Sequence, residues 1–212
     1  MMTLYGYWRS SASYRVRIAL NLKGVSVEHR PINLKSGEQH LESHKRLNTQ
    51  PLVPILELED GTRLTQSMAI LDYLEEAFPK PSLLPKDSVL KSQVKSAAQI
   101  IGTDIAPIQN LRVLKYIRAE HGQDDAGVKA WVLHWIREGL QSLETLTHTS
   151  EHAFFMMDRP GYFECCLIPQ IYNANRFEVD MSRFPKLSKI NKACLKLPAF
   201  IQSLPENQQD AP

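Results

Sequence analysis

The stretch MTLYGYWRSSASYRVRIAL, residues 2–20, decides the fold of the N-terminal part of the chain. Residues 2–7 are apolar enough for a short β-strand, and residues 14–23 have the pattern of a helix that a glycine then ends. Ser10 and Ser11 therefore lie where a strand passes into a helix, and their hydroxyls are suited to cap its first N–H groups. That end of a helix favours an anion such as a thiolate. Because the stretch contains no cysteine, such a thiolate would have to come from a small molecule.

The rest of the first third predicts a second strand, a hairpin and a helix. Residues 27–32 alternate polar with apolar side chains, as a strand does. Residues 53–58 and 63–65 flank an Asp-Gly turn and predict a β-hairpin. Residues 68–77 carry apolar side chains at helical spacing after Gln66 and Ser67. The order is βαβ followed by ββα.

Pro54 stands at the start of the third strand. Proline is confined to strand starts, edges and bulges, so an ordinary trans proline explains it. A cis Val53-Pro54 bond is the alternative, and it would turn backbone groups outward as hydrogen-bonding partners.

A proline-rich segment separates two domains. Residues 79–86, PKPSLLPK, predict a linker, and the pattern beyond it is helical. We expect an α/β domain over residues 1–80 and an all-α domain over 86–212, with a frayed tail over 205–212. The helices of the second domain are expected at 88–102, 107–121, 128–146, 163–176 and 186–196.

Composition narrows the class of protein. Of the 212 residues, 43% are hydrophobic and 23% charged, and the net charge is +2, which gives no reason to expect a nucleic acid or an anionic membrane as partner. The three cysteines lack metal-ligand spacing and predict buried free thiols, and the seven histidines form no ligand set. With no basic leader and no long apolar run, a cytoplasmic protein without bound metal is expected.

Four motifs together resemble the zeta class of glutathione transferases, the family of the maleylacetoacetate isomerases. They are YWRSSASYRVRIAL (7–20), QSMAILDYLEE (66–76), PIQNLRVL (107–114) and IPQIYNANRF (168–177). The resemblance covers nearly the whole chain. It implies the glutathione transferase fold, which is a thioredoxin-like α/β domain followed by an all-α domain, with glutathione as cofactor and a homodimeric assembly.

The resemblance also implies a glutathione site. Ser10 would hold the thiolate, with Ser11 as a second donor, because an O–H that donates to sulfur favours its ionised form. Gln66 and Ser67 would receive the γ-glutamyl carboxylate, and the Val53 backbone would pair with the cysteinyl amide. The complete glutathione set is Ser10, Ser11, Gln39, Val53, Pro54, Gln66, Ser67, Asp104 and Gln109.

The substrate implied by the family is a cis-alkene with two carboxylates, for which arginine is the suited ligand. Arg9 and Arg176 match motif positions and are the candidates, with Gln109 and Asn110 lining the site. Ser10, Ser11 and Arg9 form the candidate catalytic set. Among the remaining arginines, Arg15 and Arg17 diverge on their helix, so at most one faces the site and a surface role is expected for Arg17. A surface role is also expected for Arg112.

The implied activity is the glutathione-dependent conversion of maleylacetoacetate to fumarylacetoacetate in tyrosine and phenylalanine catabolism. Maleylpyruvate isomerase has the same chemistry and stays open as an alternative. So do a general glutathione transferase or α-haloacid dehalogenase, and a non-catalytic adaptor of the same fold.

The chain departs from the family pattern at two places. Ala12 stands where many members have cysteine, which leaves the thiolate to the serine hydroxyls. Gly161-Tyr-Phe-Glu164 replaces the usual Ser/Thr-x-x-Asp capping box, at a cost of a few tenths of a kcal/mol relative to serine.

Overall fold

The structure is a computed structural model in which residues 1–147 and 152–212 are described. The chain divides into two compact units. Residues 1–83 and 195–212 form the first unit, and residues 84–194 form the second. The ranges expected from the sequence, 1–80 and 86–212, thus differ at the C-terminal segment, which belongs to the first unit.

The secondary structure of the described residues follows the expected order. The strands are β1 (Thr3–Gly6), β2 (Glu28–Pro31), β3 (Ile55–Glu57) and β4 (Arg63–Thr65). The α-helices are α1 (Ser11–Lys23), α2 (Glu42–Lys45), α3 (Ser67–Ala77), α4 (Ser88–Gln99), α5 (Leu111–Glu120), α6 (Asp125–Leu146), α7 (Tyr162–Arg176), α8 (Pro185–Cys194) and α9 (Pro198–Ser203).

The first unit is built on a four-stranded mixed sheet in the order β2-β1-β3-β4. β1 runs parallel to β2, with Leu4 opposite His29, and antiparallel to β3, with Leu4 opposite Leu56. β3 and β4 form the expected hairpin. The βαβ-ββα order and the helical second part confirm the predicted fold class.

Helix α1 is enclosed by other elements of its unit. It contacts α3 and also α9 from the C-terminal segment. Val16, Ile18 and Leu20 are consequently fully buried or nearly so, and Gly24 ends the helix at a φ of 66°. Burial of such apolar side chains contributes about 1.5 to 3 kcal/mol each.

The predicted helix over residues 88–102 is interrupted. α4 ends at Gln99 and continues as a π-helical segment, Ile100–Ile105. Gly139 on α6 permits this packing, because a Cβ atom there would lie 2.2 Å from Cδ1 of Ile105. Ile101 and Ile105 of this segment are both buried.

Two further expectations about the chain were wrong in detail. The helix expected from Pro107 begins only at Leu111, because Asn110 caps it by accepting a hydrogen bond from the Arg112 N–H. The tail expected to fray is ordered. It contains a 3₁₀ turn at Pro205–Asn207, and Asp210 hydrogen-bonds to the backbone of Trp8.

Candidate active site

Ser10 is the N-cap of α1. Its Oγ accepts a hydrogen bond from the Ser13 N–H at 3.2 Å, which leaves its own O–H available to donate. Ser11, the first helical residue, is partly exposed and makes no side-chain hydrogen bond to another described residue. Two hydroxyls therefore lie at the positive end of α1, and Ala12 beside them adds only a methyl group.

The turn that precedes Ser10 is held from two sides. The Trp8 N–H donates to Asp210 Oδ2 at 2.9 Å, and the Trp8 carbonyl accepts from Arg17 Nη2 at 2.9 Å. Arg17 also donates to the Ser203 carbonyl and is only 4% exposed. The surface role expected for Arg17 was therefore wrong. The apolar residues around Arg17 in the sequence already indicate a helix without a polar face.

Arg9 extends from this turn into solvent. Its guanidinium carbon lies 5.3 Å from the centre of the Trp8 ring, within range of a cation–π contact. Arg9 is exposed and forms no ion pair with an acidic side chain of the described residues, so its charge is available to an incoming anion.

The start of α3 forms a second anion-favouring position in the same unit. Gln66, the N-cap residue, has a φ of 66° and gives no side-chain cap, and its Nε2 donates instead to Gln50 Oε1 at 2.8 Å. A positive φ in a residue other than glycine costs on the order of 1 to 3 kcal/mol and is typical of functional positions. Ser67 is buried, and its Oγ accepts from Arg15 Nη1 at 2.7 Å.

Arg15 lies on α1 and reaches the start of α3 through its hydrogen bond to Ser67. The sequence did not decide whether Arg15 faces the site. It is 3% exposed, its Nε has no hydrogen-bond partner, and it forms no ion pair with an acidic side chain of the described residues. A buried guanidinium without a counter-charge is costly. The arrangement therefore favours an anionic group of a ligand at the start of α3.

The remaining candidates of the first unit are Gln39, Val53 and Pro54. Gln39 is buried in a short 3₁₀ turn, and its Oε1 lacks a partner. The Val53-Pro54 bond is cis, which is the alternative that the sequence left open.

In the second unit, Gln109 and Arg176 are brought together through Asn173. Gln109 is buried and hydrogen-bonds to Asn173 and Gln170, and Asn173 accepts from Arg176. Sequence analysis did not assign Asn173 or Gln170, although both lie within the motif at 168–177.

The other two candidates of this unit, Asp104 and Asn110, form their side-chain hydrogen bonds with residues outside that cluster. Asp104 is exposed and accepts from Thr103 Oγ1 at 2.9 Å, and the Asn110 side chain caps α5. Arg112 is exposed, as expected.

Glu164 caps α7 from within. Its carboxylate accepts hydrogen bonds from the Gly161 and Phe155 N–H groups, both at 2.8 Å. Because Gly161 has no side chain to cap the helix, only the glutamate half of the capping box is present. Burial raises the pKa of Glu164 to about 7, against these hydrogen bonds, which lower it. Burial and the nearby Glu164 raise the pKa of the Cys194 thiol, which disfavours the thiolate form that a nucleophile requires.

Cys165, Cys166 and Cys194 are buried thiols that form no disulfide, as predicted. Among residues 1–147 and 152–212, no group of three or more histidine, cysteine or acidic side chains is arranged to hold a metal ion. Over the same ranges, every helix is too short or too polar to cross a membrane.

Comparison with known proteins places this geometry in a family. Residues 1–76 match the model of the glutathione S-transferase N-terminal domain. A probable maleylacetoacetate isomerase of Vibrio cholerae is 45% identical over 99% of this chain and 98% of its own. The holo structure of a maleylpyruvate isomerase, described as a bacterial zeta-class glutathione S-transferase, is 40% identical with a TM-score of 0.96, covering 99% of this chain and all of that one.

A third relative shows a ligand. The maleylacetoacetate isomerase of Anaeromyxobacter dehalogenans was solved with glutathione in its active site, at 39% identity and a TM-score of 0.90, covering 100% of this chain and 98% of that one. It was also solved with dicarboxyethyl glutathione and citrate bound.

Fold and matched N-terminal domain define a glutathione transferase. The identity and coverage go further, and the chain belongs to the zeta-class family of maleylacetoacetate and maleylpyruvate isomerases. Its residues fit glutathione by their own chemistry: Arg15 lacks an anion, Gln39 Oε1 lacks a donor, and the Ser10 hydroxyl has a proton to donate.

Proposed function

We propose that this protein is a glutathione-dependent cis–trans isomerase that converts maleylacetoacetate to fumarylacetoacetate. The observation that carries the proposal is full-length similarity to such isomerases in a chain with paired hydroxyls at the start of α1. When bound, glutathione supplies a thiolate that adds to the cis double bond, permits rotation about the resulting single bond and leaves on elimination.

Ser10 is the residue that holds the sulfur in this proposal. Its Oγ is fixed by the Ser13 N–H, so its O–H points away from the backbone it caps. Donation from this O–H and from Ser11, together with the dipole of α1, stabilises negative charge and lowers the pKa of a thiol placed there.

Arg15 and the start of α3 would receive the γ-glutamyl carboxylate. The Arg15 guanidinium supplies the charge and orients Ser67 Oγ, and the first N–H groups of α3 point toward the anion. Gln39 and the Val53-Pro54 backbone would bind the remainder of the tripeptide. Asp104 and Gln109 complete the proposed set.

Arg9 and Arg176 would hold the carboxylates of the substrate and stabilise the enolate that forms when the thiolate adds. Bidentate arginine pairs suit planar carboxylates, and positive charge fixed in place lowers the barrier to an oxyanion. Asn110 is proposed as a further substrate-binding residue.

Maleylpyruvate is the second candidate substrate, because relatives of both names match along their whole length. A cytoplasmic homodimer acting in tyrosine and phenylalanine catabolism is part of the first proposal. A glutathione-consuming transferase or dehalogenase and a non-catalytic adaptor are the other classes that the test must exclude.

The test is incubation of the protein with maleylacetoacetate and, separately, maleylpyruvate, with and without glutathione, followed by proton NMR of the alkene. Fumaryl product that requires glutathione supports the proposal, and the faster substrate decides between the two isomerases. Absence of product from both substrates in protein that binds glutathione would refute it and favour an adaptor or another transferase.

A further inference from the structure

Four polar side chains of the second unit form a row of hydrogen bonds. Arg176 Nη1 donates to Asn173 Oδ1 at 2.8 Å, and Asn173 Nδ2 donates to Gln109 Oε1 at 2.8 Å. Gln109 Nε2 then donates to Gln170 Oε1 at 2.6 Å. The row runs from an exposed guanidinium into the interior, where Asn173, Gln109 and Gln170 are each less than a tenth exposed.

The cation sets the direction of the whole row. A guanidinium only donates, so the oxygen of Asn173 must face Arg176 and its nitrogen must face Gln109. The Gln109 oxygen is thereby turned to Asn173 and its nitrogen to Gln170. Asn173 and Gln109 each accept on one side and donate on the other, and Gln170 accepts at the inner end of the row. Reversing any one of these amides would bring two donors or two acceptors together.

We infer that Asn173 is a positioning residue for Arg176 and Gln109. This inference rests on the proposed function, in which Arg176 receives a substrate carboxylate. Asn173 is fixed inside α7 one turn before Arg176, so its side chain restrains the guanidinium at the end of the helix. Restraint before binding reduces the entropy that the arginine would lose on meeting the carboxylate.

The arrangement also gives Gln109 a structural role in addition to the ligand contact proposed above. Its carbonyl oxygen and one amide hydrogen are engaged within the row, and the residue is 8% exposed. Gln109 therefore links the segment that precedes α5 to α7. Asn173 connects this link to Arg176, because it hydrogen-bonds to both residues.

The kinetic test compares Asn173→Leu with Asn175→Leu. Both substitutions lie on α7, but Asn175 is exposed and outside the row. Asn173→Leu is expected to raise KM for the diacid about tenfold, more than it lowers kcat, whereas Asn175→Leu leaves both near wild type. In an Arg176→Met background, Asn173→Leu should add little. An effect of Asn173→Leu that adds fully to that of Arg176→Met would overturn the inference.

A second measurement does not depend on activity. The side-chain amide ¹⁵N resonances of Gln109 and Gln170 should shift in Arg176→Met, although neither residue touches Arg176 in the row, and should stay in place in Asn175→Leu. Unchanged amide resonances in Arg176→Met would overturn the inference even if Asn173→Leu fails to fold. If wild-type protein isomerises neither diacid, the proposed function fails, and these resonances still decide whether the row exists.

Discussion

Replacing Glu164 by glutamine is expected to remove a pH dependence from the stability of the second unit. The carboxyl group is fully buried and holds two backbone N–H groups at the start of α7. Its pKa is raised from 4.5 to about 7, so between these pH values the folded state keeps a proton that the unfolded state has released. The protonated Glu164 carboxyl makes its full contribution to the free energy of unfolding below pH 4.5, and this contribution is lost as pH rises through 7.

The size of the effect follows from the two pKa values. One pKa unit corresponds to about 1.4 kcal/mol, and the interval from 4.5 to about 7 gives a loss of about 3 kcal/mol between pH 4.5 and 7.5. Glutamine is neutral throughout this range and should show none of this loss. It also presents an amide hydrogen to one backbone N–H, so the variant starts less stable at low pH.

Urea unfolding at a series of pH values measures the difference. Trp131 and Trp135 both lie on α6, whereas Trp8 lies in the first unit. In a Trp8→Phe background the fluorescence therefore reports the unit that contains Glu164. Glu138→Gln, an exposed change on α6, is the matched control and should follow wild type. If the free energies of unfolding of wild type and Glu164→Gln differ by a constant amount from pH 4.5 to 7.5, the buried carboxyl does not retain a proton that the unfolded state has lost.

Three further predictions concern the site. Ser10→Ala should raise the pKa of the bound glutathione thiol, measured by thiolate absorbance against pH, and should slow isomerisation markedly. Ser26→Ala, an exposed control, should do neither. An unchanged thiol pKa in Ser10→Ala would contradict the role of the hydroxyl. Arg15→Met should weaken glutathione binding, measured by calorimetry, by about tenfold or more, because a charge-assisted contact contributes about 1.5 to 3 kcal/mol. An affinity equal to that of wild type would exclude Arg15 from the site. Asp210→Ala should lower kcat several-fold, because the Trp8 N–H loses its acceptor; wild-type rates would show that the C-terminal segment does not support the turn.

Much of the fold follows from local pattern. Strand alternation, the Asp-Gly hairpin and the apolar helix faces predict the βαβ-ββα order and the helical second part, because these elements bury the faces that their sequences mark. The tail was mispredicted because its polar composition is typical of disorder, whereas distant partners such as Trp8 and His29 order it. The π-helical segment depends on a glycine 34 or more residues away, which no local pattern contains.

The site was predicted only in part for a similar reason. Ser10 lies at a helix start that sequence defines, and its capping bond is present. The partners of Arg15 and Arg17 come from Ser67 and Ser203, far along the chain, and only the folded unit brings them together. The row that ends at Arg176 likewise joins two motifs 61 residues apart.

The central claim is that the protein uses glutathione as a catalyst and not as a reactant. The most direct measurement is the ratio of fumaryl product formed to glutathione consumed, followed by NMR with substrate in large excess over glutathione. The account predicts many turnovers with glutathione recovered unchanged. Product that stops at one equivalent, with glutathione converted to a conjugate, would contradict it.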